Sequence, residues 1–220
     1  MINIKSKFLT IISSIFIILF SLEQSSLAVI PIYISFLFLS KFIIGKRNKI
    51  YNEIFINIFS ISSLFSIFLY YIFLNNFGIP FNGVSDGVIY EYDANYFINN
   101  FSLFQYSSIR SFVTFAWHNS PAYIYILGIF MKISSYIGGY NTLIPRLFNS
   151  FLLGFIGILI YKLGRYFDLK TKTTTLITYI STLSPLMLWL AGQINRDIII
   201  AFLIVLFVYS WTTLYNNSSN

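Results

Sequence analysis

Long apolar stretches, separated by short polar or charged segments, dominate the chain. A helix that crosses a bilayer needs about 20 predominantly apolar residues, and stretches of this kind predict such helices. Six candidates follow the pattern, the first and fourth of them short: residues 8–22, 27–44, 54–74, 147–161, 176–191 and 198–215. The pattern therefore predicts an all-α fold, a polytopic membrane helix bundle with about six transmembrane helices.

The composition indicates the same class of protein. Hydrophobic residues make up 57% of the 220 positions and charged residues only 10%, whereas a soluble domain carries about 25% charged residues. So little charge cannot cover a water-facing surface, which excludes a soluble enzyme and a disordered chain. The absence of cysteine also excludes disulfides, a thiolate nucleophile and cysteine metal ligands.

The positive charges gather in three polar segments. They precede the first predicted span, separate the second from the third, and separate the fourth from the fifth: Lys5, Lys7, Lys41, Lys46, Arg47, Lys49, Lys162, Arg165, Lys170 and Lys172. Cationic loops face the cytoplasm, and the predicted crossings put all three segments on that side. The net charge of +7 is thus explained by topology and anionic lipid headgroups, with no nucleic-acid partner.

This topology predicts a multi-pass protein of the plasma (inner) membrane with a cytoplasmic N-terminus. Residues 1–53 form an N-terminal transmembrane hairpin with a cytoplasmic basic loop, residues 54–215 form a membrane domain, and residues 216–220 are a polar tail. The membrane domain contains a long loop, residues 75–145, on the outer face. We expect interfacial helices within this loop.

Two segments admit another interpretation. Residues 121–137 are apolar enough to cross, but a crossing there would move the cations of residues 162–172 outside, so a helix in the outer interface is favoured. Residues 26–28 resemble a signal-peptide cleavage site. Cleavage would leave the later topology unchanged, and an uncleaved first helix is favoured.

The outer loop carries three carboxyl groups that are candidate catalytic residues, namely Asp86, Glu91 and Asp93. A short helix is predicted over residues 89–101, and the four-residue spacing of Asp86, Tyr90 and Ala94 would put them on one helical face. One interpretation is that Asp86 caps the helix while the other two acids keep the loop hydrated. The alternative is that a carboxylate near the low-dielectric boundary acts as a general base.

Other polar residues of the outer face are candidate substrate-binding groups. Arg110, Arg146 and Arg196 could each hold a phosphate, because guanidinium presents several donors in a fixed fork. Snorkelling to the headgroups is the alternative for Arg146. His118 is the single histidine, which favours an interfacial or hydrogen-bonding role, and Asp197 suits the positive end of the last helix.

The order of these parts resembles the N-terminal half of the GT-C superfamily of multipass glycosyltransferases, which includes protein mannosyltransferases, aminoarabinose transferases and Rgt-type bacterial enzymes. The loop motif D-x-x-x-Y-x-x-x-A is matched by Asp86, Tyr90 and Ala94. Residues 118–173 resemble the family's His/Pro-led interfacial helix, its turn, and a helix that ends in a basic loop. Residues 183–209, with the sequence LSPLMLWLAGQINRDIIIAFLIVLFVY, resemble the next helix pair.

The resemblance covers about residues 54–215 and implies a function. Members transfer a sugar, with inversion, from a polyprenyl-phosphate carrier on the outer face, and the loop aspartate, here Asp86, is held to be the base. Many relatives have a second acid directly after it, where this chain has Gly87. Relatives are also longer, so the resemblance implies the N-terminal part of a longer enzyme, one half of a split protein, or an inactive form.

The sequence thus predicts a membrane glycosyltransferase of cell-envelope polysaccharide or glycoconjugate synthesis. Its expected partners are a polyprenyl-phosphate-linked sugar, the lipid bilayer and a glycan, lipid or protein acceptor. The alternatives are an O-antigen polymerase-like or flippase-like polysaccharide protein and a non-catalytic membrane subunit. A divalent metal is a candidate cofactor, although the residues define no metal ligand set.

Overall fold

The computed structural model describes residues 2–45, 48–83, 85–115 and 120–217. All regular structure in these residues is helical. The helices, in chain order, are α1 (Ile2–Glu23), α2 (Val29–Ile44), α3 (Lys49–Phe77), α4 (Asp86–Asn100), α5 (Tyr106–Phe115), α6 (Pro121–Ile137), α7 (Leu143–Tyr166), α8 (Thr171–Thr182), α9 (Pro185–Ala191) and α10 (Asp197–Asn217).

Four of these helices, α1, α3, α7 and α10, are long and apolar enough to cross a membrane. The pair α8 and α9 passes the same test as a unit, but the two helices are bent by 55° at a short break, so the number of candidate spans is at most five. The all-helical fold and a membrane-spanning bundle agree with the sequence prediction. The remaining expected span, α2, has 16 residues, a length of about 24 Å against a hydrocarbon core of about 30 Å. A sixth crossing therefore stays a prediction.

The break between α8 and α9 has a local cause. Pro185 lacks a backbone N–H and cannot continue the ladder of α8. The Ser184 side chain accepts a hydrogen bond from the Met187 N–H at 3.4 Å, which caps the new helix. The sequence pattern presented residues 176–191 as one span, and the Ser–Pro pair is the signal that divides it.

Helices α3 and α7 pack against each other along most of their length. A methyl group on Gly154 of α7 would lie 2.7 Å from a ring carbon of Phe55 on α3, so the glycine permits this close approach. The Ser62 and Ser150 hydroxyls meet across the same contact at 2.9 Å. Small residues and side-chain hydrogen bonds of this kind are the usual means of helix association in membranes.

One end of the bundle is formed by the C-termini of α1 and α3 and the N-terminus of α7. The Tyr70 hydroxyl of α3 donates to the Gln24 side-chain oxygen just after α1 at 2.8 Å, and Tyr71 donates to Glu23. The Arg146 guanidinium, near the start of α7, lies 5.7 Å from the centre of the Tyr70 ring. We call this end of the bundle the site end.

The opposite end carries lysines and arginines. Lys7 of α1, Lys41 of α2 and Lys49 of α3 line one cavity there. The Lys162 ammonium of α7 lies 5.4 Å from the centre of the Tyr51 ring of α3. These side chains, which the sequence pattern assigned to a common side, meet at what we call the basic end.

Helices α4, α5 and α6 form a layer at the site end with a small apolar core of its own. Its buried side chains include Tyr90, Ala94, Phe97, Phe112, Tyr123, Ile124 and Leu127. Ser120, directly before α6, accepts a hydrogen bond from Arg196, and the Gly139 carbonyl directly after α6 accepts one from Ser26 at 2.9 Å. Both ends of α6 therefore lie at the site end, and its location in a membrane interface stays a prediction.

Candidate functional site

Helix α4 presents the candidate carboxyl groups and is held close to the turn between α9 and α10. Gly78 adopts a left-handed conformation, with φ of 70°, and ends α3. Helix α4 then begins at Asp86. A methyl group on Gly87 would lie 3.1 Å from the Ile194 carbonyl oxygen. A side chain at position 87 would therefore be tightly packed against the backbone of the α9–α10 turn.

One group of polar side chains, which we call the outer cluster, lies where the start of α4 meets the start of α10. It comprises Asp86, Tyr90, Ser120, Arg196 and Asp197. Burial raises the pKa of the Tyr90 hydroxyl, and the nearby Arg196 charge opposes this while Asp86 adds to it. Arg196 donates a hydrogen bond to the Ser120 hydroxyl. Four of the predicted site residues are thus neighbours, and the exposed Asp86 and Arg196 are open to solvent.

Asp197 has a defined structural role in the outer cluster. Asn195 donates to its carboxylate at 2.8 Å, and the Asp197 N–H donates to the Asn195 side-chain oxygen at 3.2 Å. The carboxylate also lies at the N-terminus of α10, where the helix dipole favours negative charge. These contacts fix the turn that carries Arg196.

A second group, the inner cluster, surrounds the Arg146 guanidinium. The Arg146 side chain is only 1% exposed. One of its terminal nitrogens donates to the Pro80 carbonyl, and the rings of Tyr70 and Phe73 lie 5.7 Å and 5.9 Å from its central carbon. Its Nε and Nη1 have no hydrogen-bond partner in the part of the chain that the structure describes. A buried cation with two unused donors is costly, which makes this residue unusual.

Glu91 of α4 lies close enough to Arg146 for the two charges to interact. Burial raises the pKa of the Glu91 carboxyl to about 7, and the positive charge of Arg146 partly opposes the rise. Burial also raises the pKa of the Tyr140 and Tyr123 hydroxyls. The Glu91 carboxyl is therefore able to exchange a proton near neutral pH.

More polar atoms of the inner cluster are buried without a partner. Within the described ranges, the hydroxyls of Tyr123, Tyr140 and Thr142 and the side-chain oxygen of Asn149 make no hydrogen bond. The Asn149 amide nitrogen donates to the carbonyls of Gln193 and Asn195 at 2.8 Å and 3.2 Å. Because buried polar groups are normally satisfied, this concentration indicates a site that water or a polar ligand completes.

A cavity of about 480 Å³ lies beside Glu91, between α4 and α6. Its polar lining includes Glu91, Asn95, Ser135 and Tyr140, and apolar side chains such as Met131 complete the wall. The volume is in the range of small-molecule sites, and the mixture of one ionisable group with several neutral polar groups is typical of them.

The remaining predicted residues are placed differently. Arg110 is exposed on α5, and no described contact joins it to either cluster. Asp93 is buried on α4. His118 lies outside the described residues, so its predicted role is not tested. The inner-cluster residues Tyr140 and Asn149 were missed, although a polar Asn149 inside an apolar stretch is a recognisable signal.

Among the residues that the structure describes, no group of three or more histidine, aspartate or glutamate side chains is arranged to hold a metal ion. Comparisons with known proteins found no family model, no curated protein and no solved structure that matches this chain.

Proposed function

We propose that the chain is a membrane glycosyltransferase, or the corresponding part of one, that transfers a sugar from a polyprenyl-phosphate donor to an acceptor hydroxyl in cell-envelope polysaccharide or glycoconjugate synthesis. The observation that carries this proposal is the buried Arg146 with two unused donor nitrogens, near the Glu91 carboxyl of α4. In the proposed topology six crossings place the site end outside, because the basic end faces the cytoplasm.

Arg146 is suited to the leaving group of this reaction. When the acceptor oxygen attacks the sugar C1 from the opposite face, the C1–O bond to phosphate breaks and the phosphate keeps the electron pair. A guanidinium in surroundings with little water stabilises that charge strongly. Pro80 accepts a hydrogen bond from Arg146, and Phe81 and Asn82 line a small cavity with it, so the donor phosphate displaces these residues when it binds.

The reaction also needs a base to take the acceptor proton. Asp86 occupies the position that the family resemblance assigns to the base, and it is exposed beside Tyr90 and Arg196. Glu91 is the second candidate, since its pKa of about 7 is close to the optimum for a general base and it lines the 480 Å³ cavity. The proposal takes Asp86 as the base and Glu91 as an acceptor-binding group.

The test uses membranes from cells that make the chain, incubated with polyprenyl-phosphate mannose or polyprenyl-phosphate glucose labelled in the sugar. Transfer is measured as label that leaves the lipid fraction. We expect Asp86→Asn to lower transfer at least about 100-fold, the usual contribution of a general base. Asp168→Asn is the matched control: this exposed residue follows α7, at the basic end, and its φ of 54° suits asparagine.

Retained transfer in Asp86→Asn with loss in Glu91→Gln would move the role of base to Glu91. Retained transfer in both variants, or no transfer of either sugar by the unmodified chain, would contradict the proposal. Western blotting of the membranes shows whether each variant is present in equal amount.

A further inference from the structure

At the basic end, α1, α2 and α3 enclose a second cavity of about 480 Å³. Each of the three helices contributes a lysine to it: Lys7, Lys41 and Lys49. The cavity is far from both clusters of the candidate site, and none of the chemistry proposed above uses it.

The charges of this cavity are unbalanced. Glu53 is the carboxylate among its lining residues, against the three ammonium groups. All three lysines are exposed, so their ammonium groups remain hydrated and free to turn towards a ligand. An excess of two positive charges favours an anion, and an anion with several oxygens can accept hydrogen bonds from more than one lysine.

Apolar side chains form part of the wall of the same cavity. They are Ile11 of α1, Leu37 of α2 and Ile56 of α3. The neighbouring surfaces of α1 and α2 expose large apolar side chains, among them Phe8 at 61% and Phe42 at 85%. In a membrane protein such surfaces face acyl chains, so the cationic groups lie at the edge of a lipid-covered surface.

The wall near the α2–α3 connection is held in place by Asn52. Its amide nitrogen donates to the carbonyls of Gly45 and Asn48 at 3.2 Å and 3.1 Å. This contact fixes the end of α2 relative to the start of α3, and therefore the separation of Lys41 from Lys49. The cavity is thus a preformed feature of three packed helices.

We propose that this cavity is a binding site for the headgroup of an anionic phospholipid. The phosphate lies among Lys7, Lys41 and Lys49, and the acyl chains extend along the exposed apolar faces of α1 and α2. A free phosphate would use the lysines but not the apolar wall, and a zwitterionic lipid would bring its own cation into a site that already has an excess of them.

The test is the retention of lipid by the purified full chain. The chain is reconstituted in vesicles of 20% phosphatidylglycerol in phosphatidylcholine, extracted in a mild detergent, and examined by native mass spectrometry. We expect about one retained phosphatidylglycerol per chain and at least a tenfold lower retained fraction in the double variant Lys7→Gln/Lys41→Gln. The double variant Lys170→Gln/Lys172→Gln removes the same charge outside this cavity and is expected to retain the lipid.

A third double variant, Lys7→Arg/Lys41→Arg, keeps the charge and is expected to restore retention, which separates binding from misfolding. The proposal would be overturned if Lys7→Gln/Lys41→Gln and Lys170→Gln/Lys172→Gln lost the same amount of phosphatidylglycerol. That result would indicate a general attraction of anionic lipid to the basic end. Equal retention of phosphatidylcholine would overturn it too. Displacement of the lipid by 10 mM inorganic phosphate would assign the site to a free anion instead.

Discussion

The Glu91 carboxyl links the inner cluster to a measurable dependence of stability on pH. Burial raises its pKa from an ordinary 4.5 to about 7 in the folded chain. Between these values the folded state keeps a proton that the unfolded chain has lost. The contribution of Glu91 to the free energy of unfolding is therefore highest below pH 4.5, falls as the pH rises from 4.5 to 7, and levels off above that.

The shift sets the size of the effect. One pKa unit corresponds to about 1.4 kcal/mol, so ionised Glu91 lowers the free energy of unfolding by about 3 kcal/mol above pH 7. Glu91→Gln keeps the size of the side chain and removes the ionisation. We expect this variant to equal the unmodified chain at pH 4.5 and to be more stable at pH 8. For a chain of this length the midpoint of thermal unfolding would rise by about 6–12 °C at pH 8.

Thermal unfolding in detergent, followed by tryptophan fluorescence at pH 4.5, 6 and 8, measures this difference. Glu53→Gln makes the same chemical change at the basic end and serves as the control for removal of one negative charge. A Glu91→Gln midpoint that is no higher than that of the unmodified chain at pH 8 would refute the reasoning. The reasoning would also be refuted if the thermal midpoints of Glu91→Gln and the unmodified chain differed by the same amount at pH 4.5 and at pH 8.

Two further predictions concern Arg146 and the orientation of the chain. The Arg146→Met variant loses a charged hydrogen bond to Pro80, which stabilises the folded chain by about 1.5–3 kcal/mol. It also loses the unfavourable cost of burying the guanidinium charge, which is at least of similar size and opposite in sign. We therefore expect its thermal midpoint to stay within about 5 °C of the unmodified value while sugar transfer is lost, and a much larger fall would indicate a structural role. The chain has no cysteine, so single cysteines at the exposed positions Asn82 and Thr171 report the two ends of the bundle. A membrane-impermeant thiol reagent applied to intact cells should label the first and not the second, and the reverse result would contradict the proposed topology.

The helical parts of the site were predictable to different degrees. Residues 121–137 were expected as one helix, and α6 spans Pro121–Ile137, because Pro121 and Gly138 mark its ends in the sequence. Helix α4 was expected over residues 89–101 and spans Asp86–Asn100 instead. Its earlier start includes Gly87, which packs close to the Ile194 carbonyl, a contact that is not visible in the local pattern.

The sequence predicted the carboxyl groups of the outer loop as one set, whereas the structure separates Asp86 from Glu91. Asp86 and Glu91 are five residues apart, which places them about 140° apart around a helix. Asp86 consequently joins the outer cluster beside Arg196, while Glu91 faces Tyr140 and Arg146. The burial of Arg146 depends on α3, α7 and the segment with Pro80 coming together, so no local pattern could predict it.

The sequence by itself determined the class of protein, the positions of most helices and the common side of the cations. It could do so because helix length, hydropathy and the charge of a connecting segment are properties of short continuous stretches. Only the tertiary structure decided which polar groups come together: the approach of Glu91 to Arg146, the unpartnered hydroxyls near them, and the three-lysine cavity at the other end. Those contacts join residues from several helices, and the packing of the helices sets the distances between them.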